Sequence, residues 1–179
     1  EAGQGVETAG NTLLGGLSGM GAHLLATQSY MSRIRGGLNW NDIRVSDREC
    51  FAGREQADLL VSFTAVAGEV LSGSLAHGGI HLHNGDTAGT ADLVLLNAAK
   101  LAGELTGSTV ASNSVMAGAV FALLGYPDDA LCVYLEKSFL GKGREIADAN
   151  TACARAGHAR IREAGLWERL RAPAPSGVT

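Results

Sequence analysis

The stretch Ala57 to Phe63, ADLLVSF, constrains this chain more than any other, because it is a compact apolar run set between polar flanks. A strand that is apolar on both faces is buried on both faces, and such strands belong to parallel sheets covered by helices. Its expected place is the centre of the sheet. Other extended patterns surround it. His23 to Tyr30 (HLLATQSY) carries apolar residues and ends in polar ones, which predicts a strand running into a loop. Trp40, Asp42, Arg44 and Ser46 alternate with Asn41, Ile43, Val45 and Asp47, predicting a further strand without marking its buried face. Gly79 to Asn84 (GIHLHN) alternates as another, ahead of the turn signal Asn84-Gly85-Asp86.

Helical spacing fills the intervals. Val6, Ala9, Leu13, Leu17 and Met20 recur at three and four and form one helical face, entered from the glycine-rich turn Gly3-Gln4-Gly5. Glu69 to Ala76 reads as a short helix. Asp92 to Leu105 reads as a longer one, although DLVLLN is also compatible with a strand. Thr109 to Ala111 reads as a brief strand, after which Ser112 or Asn113 caps a helix carrying Val115, Ala119, Val120, Leu123 and Leu124 and ending at Gly125. Pro127 suits the first turn of a helix reaching about Phe139, with Asp128 and Asp129 complementing its dipole. Gly141 and Gly143 break it, and a last helix spans about Arg144 to Ala164. Strands concentrated in the first half and alternating with helices predict an α/β fold, a mainly parallel sheet flanked by helices, with a helical C-terminal part. No internal repeat is present. Residues 1–171 are expected to form one domain and residues 172–179, within RAPAPSGVT, a linker toward a following domain.

Composition narrows the function classes. With 179 residues, 46% hydrophobic and 18% charged, the chain can bury a core and is no disordered segment. A net charge of -4 offers no basic field, so neither nucleic acid nor an anionic membrane is an expected partner. Cys50, Cys132 and Cys153 are far apart and odd in number, which predicts neither a disulfide framework nor a metal cluster and fits the reducing cytoplasm. No apolar run approaches the roughly 18 residues that a membrane span requires. Glycine at 25 residues against 3 prolines favours tight turns and close helix contacts.

Two segments carry chemistry. A glycine turn feeding a helix start presents free backbone N–H groups and the positive end of the helix dipole, which suits an anion. Gly3-Gln4-Gly5 by itself is equally an ordinary turn, and Thr8 stands where a dinucleotide fingerprint needs its third glycine, so NAD is not favoured. In SRIRGGLNWND, Arg33 and Arg35 stand beside Gly36 and Gly37, with Asn39 following. Guanidinium forks reach phosphate or carboxylate well, and paired glycines let a backbone approach closely. The plainer reading of that loop is exposure with surface ion pairs. His81 and His83 share a strand face, yet no third residue has metal-ligand spacing. No GxSxG is present, and Gly85-Asp86-Thr87 lacks the downstream Asn of a thiamine diphosphate and magnesium signature. No catalytic or metal-binding residue is expected in this chain.

EAGQGVETAG, QSYMSRIRGGLNWNDIRVSD and EKSFLGKGREIADANTACARAG together resemble the gamma domain of the 2-oxoacid:ferredoxin oxidoreductases, over nearly the whole chain. SRIRGG followed by Asn39 looks more like the N-terminal domain of the 2-oxoglutarate-type alpha subunit than the pyruvate type. In that family a strand precedes the GQG turn, so the sequence is expected to start one strand late, and the thiamine-binding domain would follow the linker. The resemblance implies oxidative decarboxylation of a 2-oxoacid on thiamine diphosphate with magnesium. Electrons pass through iron-sulfur clusters to ferredoxin, and the acyl group to coenzyme A. This chain lacks the cofactor signatures and would bind none of those groups alone. Its implied part is coenzyme A access and packing on the catalytic domains or subunits, with Gly3, Gln4, Gly5, Arg33, Arg35, Gly36, Gly37 and Asn39 as the functional edge. A module that only binds its partner is the first alternative. A free-standing nucleotide-binding protein is the second.

Overall fold

A computed structural model describes residues 6–30, 37–86 and 93–174. The chain begins in α1 (Val6–Gly19) and passes through β1 (His23–Tyr30) and β2 (Asn39–Ser46). There follow β3 (Ala57–Ser62), α2 (Ala65–Leu71), a 3-10 turn at Ser72–Ser74, β4 (Leu75–His83) and β5 (Leu93–Leu95). Four helices complete it: α3 (Ala98–Thr106), α4 (Ser112–Leu124), α5 (Asp129–Leu140) and α6 (Arg144–Glu163).

The α/β class and the helical C-terminal part stand as the sequence predicts, and β3, β4 and β5 form a parallel sheet. β1 and β2 pair antiparallel as a separate ribbon, from His23 opposite Ser46 to Tyr30 opposite Asn39. Parallel neighbours need a crossover, and α2 supplies it between β3 and β4. β4 occupies the middle of the sheet among the described residues, so the apolar run of β3 lies at its side rather than its centre. The burial of β3 comes from helices packed on its faces, which a hydrophobic run cannot distinguish from a central position.

Several boundaries differ from expectation, each for a local reason. α2 starts at Ala65, earlier than Glu69, because Thr64 caps it: the Thr64 hydroxyl accepts from the Ala67 N–H at 3.2 Å. β4 accordingly takes Leu75 to Gly78 as well. Asp92 to Leu105 is not one helix. Leu93–Leu95 joins the sheet beside His81–His83, and Asn97 then caps α3 by accepting from the Lys100 N–H at 2.9 Å. Thr109 to Ala111 is a turn rather than a strand, and the cap position of α4 is Ala111 rather than Ser112 or Asn113. Ser112 N–H donates to Thr109 O within that turn.

α4 is the centre of the molecule, buried continuously from Ser114 to Leu123. A helix apolar on all sides has no solvent face to spare. One side meets the sheet, α3 and α6 through Ile80, Leu82, Ala102, Val115 and Met116. The other meets α1 and α5 through Leu17, Phe121, Leu131 and Leu135, with Leu24, Ile43 and Val45 of the ribbon packed against that layer. Glycine permits the closest approaches: a Cβ on Gly118 would stand 1.9 Å from Ala154 O, and one on Gly157 would stand 1.9 Å from Val115 O. The chain beyond α6 closes over the end of α4. Glu168, Leu170 and Ala172 donate their N–H groups to Ala122, Leu123 and Leu124 carbonyls, which satisfies acceptors that a helix end leaves open. The docking continues to Pro173, whose carbonyl accepts from the Tyr126 hydroxyl.

Candidate functional site

Gly3, Gln4, Gly5, Arg33, Arg35 and Gly36 lie outside the described residues, while Gly37 and Asn39 are described and half-buried where the chain re-enters β2. What the structure fixes is the two anchors of those segments. Val6, the first residue after the glycine turn, opens α1, and its carbonyl accepts from Asn41 Nδ2 at 3.3 Å. Asn41 faces Gln28 across the ribbon, two residues along β2 from Asn39. Gly10 makes this approach possible, since a Cβ there would lie 2.5 Å from Asn41 Nδ2. The helix start is therefore tied to the strand that leaves the arginine loop. Beside the tie is a groove of about 190 Å³, lined by Glu7, Asn11 and Leu14 of α1 and by Ala26, Thr27 and Gln28 of β1. Glu7 places a carboxylate in the first turn, complementing the helix dipole and making the groove itself poor for an anion. Tyr30, opposite Asn39 at the loop end of the ribbon, is 61% exposed.

A second constellation sits at the carboxyl ends of β3 and β4, the edge where open α/β sheets place ligands. Parallel register sets Ser62 beside His83, and the two-residue period of a strand sets His81 on the same face as His83. Ser62 Oγ lies 2.7 Å from His81 Nε2 and 2.7 Å from His83 Nδ1. The two rings meet edge-on, their centroids 5.8 Å apart. Ser62 is 1% exposed and His83 7%. Gly68 of α2 closes the top, where a Cβ would come within 2.8 Å of His81 Cε1. Burial, and after it the neighbouring charge of His83, pushes His81 below the ordinary imidazole value. Asn84 N–H donates to Ser62 O at 2.8 Å, Leu96 N–H to His83 O at 3.0 Å, and Ala98 N–H to Asn84 Oδ1 at 3.0 Å, so the same edge starts α3. The sequence draws attention to the two histidines by their shared strand face, without a third residue at metal-ligand spacing. It hides Ser62 inside an apolar run; the signal would have been its place opposite His83 once parallel pairing is assumed.

Among the described residues no group of three or more His, Cys, Asp or Glu is placed to hold a metal ion. Cys132 and Cys153 are buried on different helices, and burial raises both thiols. These donors do not fit an iron-sulfur cluster.

The chain matches the family described as pyruvate ferredoxin/flavodoxin oxidoreductase over residues 1–160. It superposes on a solved 2-oxoglutarate:ferredoxin oxidoreductase from Magnetococcus marinus, with 2-oxoglutarate, coenzyme A and succinyl-CoA bound, at 19% identity and TM-score 0.77. That match covers 99% of this chain and 31% of the other, so the chain spans about a third of that relative. The pyruvate oxidoreductase subunit PORC from Thermotoga maritima matches at 23% identity and TM-score 0.70, over 89% of this chain and 91% of that one. The gamma subunit of a keto/oxoacid ferredoxin oxidoreductase from Geobacter sulfurreducens matches at 24% and 0.70, over 91% and 95%. At these identities the likeness is one of fold. No curated protein matches the sequence.

Proposed function

The chain belongs to the pyruvate ferredoxin/flavodoxin oxidoreductase family, and on that footing we propose that it is the gamma-type domain of a thiamine diphosphate-dependent 2-oxoacid:ferredoxin oxidoreductase. That enzyme converts a 2-oxoacid, coenzyme A and two oxidised ferredoxins to acyl-CoA, CO2, a proton and two reduced ferredoxins. The domain contributes to coenzyme A access and to packing on the catalytic domains, and 2-oxoglutarate is the favoured oxoacid. The family match over residues 1–160 carries the reading. The fold shared with a coenzyme A-bound 2-oxoglutarate enzyme and the SRIRGG loop favour that substrate.

Thiamine diphosphate, held with magnesium by a neighbouring domain, would supply carbanion stabilisation. This chain's own part is recognition. The phosphates of coenzyme A are met by backbone N–H groups of Gly3, Gln4 and Gly5 and by the Arg33 and Arg35 guanidinium forks. Gly36 and Gly37 allow close approach, and Asn39 adds a polar edge. Asn41 supports the arrangement by holding the carbonyl of Val6, which orients the helix start toward β2.

Replacing Arg33 and Arg35 by Ala in the assembled complex should raise the coenzyme A KM by about 10-fold or more, from the loss of charge-assisted hydrogen bonds. Assembly and the KM for the oxoacid should stay as they were. Unchanged coenzyme A kinetics would remove the contact from the account. A second reading, a purely partner-binding module, is favoured by Tyr30, an exposed aromatic of the type that anchors interfaces. Calorimetric titration separates the two: the partner-only reading gives heat with the catalytic subunit and an unchanged coenzyme A affinity in the double variant.

A further inference from the structure

We infer that Ser62, His81 and His83 form a single-proton lock at the carboxyl end of the parallel sheet, a built-in acid-sensitive device. The argument starts from hydrogen-bond capacity. A serine hydroxyl donates one bond and accepts two, and a neutral imidazole has one N–H and one lone pair. With Ser62 Oγ 2.7 Å from a nitrogen of each ring, the neutral cluster is satisfied when one imidazole donates to Oγ and the hydroxyl donates to the other. One added proton is accommodated without rearrangement, because it enters on the far nitrogen of the donating ring. A second proton is not. Both facing nitrogens would then carry hydrogen, the hydroxyl proton would lose its acceptor in a site where Ser62 is buried, and two cations would stand with ring centroids 5.8 Å apart.

Among the described residues neither ring has a carboxylate as its hydrogen-bond or ion-pair partner. On β3, Asp58 is committed to Arg54 at 3.3 Å. After β4, Asp86 is held by Asn97, and His77 of β4 is exposed. Glu69 of α2 and Lys100 of α3 are exposed as well, and β5 between Leu93 and Leu95 has no titratable residue. The charge that acts on His81 is that of His83. The lock is wired into the fold through main-chain bonds: Ser62 O accepts from Asn84 N–H, His83 O accepts from Leu96 N–H, and Asn84 Oδ1 accepts from Ala98 N–H at the start of α3. A second proton therefore loosens the joint between β3 and β4 and, with it, the anchoring of β5 and α3. Acidification releases this edge while the α1, α4 and α5 layer stays packed.

The test is a titration of the His81 and His83 ring protons in the full chain by NMR, with His81→Gln to assign them. The lock predicts two macroscopic midpoints for the pair, separated by about one pH unit or more. Ser62→Thr, which keeps the hydroxyl, should preserve the separation. Ser62→Ala should bring the midpoints together and reduce the acid-induced loss of amide protection at Asn84 and Leu96. Coincident midpoints in the unmodified chain would overturn the lock. So would a separation, or an acid-induced opening at those amides, that Ser62→Ala leaves unchanged. Should Ser62→Ala not fold, the unmodified chain and Ser62→Thr still decide it, since a lock requires separated midpoints in both.

Discussion

Asn150 of α6 is buried, and its side chain joins two helices: Oδ1 accepts from the Ser114 hydroxyl at 2.7 Å, and Nδ2 donates to Ile146 O at 2.8 Å. Asn150→Ala would leave the buried Ser114 hydroxyl without this acceptor, costing about 1–3 kcal/mol, which urea unfolding followed by circular dichroism would measure. Thiol chemistry gives another residue-scale expectation. Burial raises Cys153, and burial together with Asp128 raises Cys132, so both hold their protons, whereas Cys50 is half-buried. Iodoacetamide at neutral pH should label Cys50 first and the other two only on unfolding, with mass spectrometry of digests as the readout. The pH dependence follows from His81. Its value is lowered in the folded state, so the unfolded chain binds the proton more tightly. Stability is full above the ordinary value of 6.5 and falls as pH drops below it toward the lowered value. Thermal unfolding between pH 7.5 and 5 should show this fall, and His81→Gln should flatten it. At this scale the sequence names residue types and their order, but not Ser62, whose partners become visible only when register is known.

At the scale of elements, glycines decide how near helices come. Gly118→Ala would drive a Cβ into the Ala154 carbonyl across α4 and α6, where only backbone movement makes room. A loss of about 3 kcal/mol or more is expected. Gly103→Ala in α3 meets nothing within 4 Å and should instead stabilise by about 0.5–1 kcal/mol through helix propensity. Opposite signs in denaturant melts check the pair; equal effects would contradict the close crossing. Glycine abundance pointed to such crossings from composition alone, without saying which of the 25 glycines make them. The long helices were legible because their apolar spacing persists over several turns and glycines mark their ends, as at Gly125 with φ of 81°. Asp92 to Leu105 was not, because Leu93–Leu95 is too short for a period to declare itself, and its strand character comes from pairing with β4.

For the whole molecule, two apolar layers share α4, and the segment after α6 seals its end through Trp167, Leu166 and Leu170 packed on the core. Removing residues 166–174 should cost about 2–4 kcal/mol in a thermal or denaturant melt, from the lost apolar burial and the three carbonyls reopened on α4. The composition RAPAPSGVT gives no hint of that docking, since the bonds to α4 are made by backbone. Fold class and most of the element order were readable in advance, apart from β5 and the turn at Thr109 to Ala111, whereas the division into a parallel sheet and a separate ribbon depends on contacts between distant segments. No described helix is long and apolar enough to cross a membrane. The central claim is that the glycine turn and the arginine loop act as one edge toward coenzyme A. A double-mutant cycle on the assembled complex tests it, with Gly5→Pro, which removes one of the proposed backbone donors, Arg35→Ala and both together, read as coenzyme A kcat/KM. The account predicts a coupling of about 0.5 kcal/mol or more between the two sites; effects that add to within about 0.3 kcal/mol would contradict it.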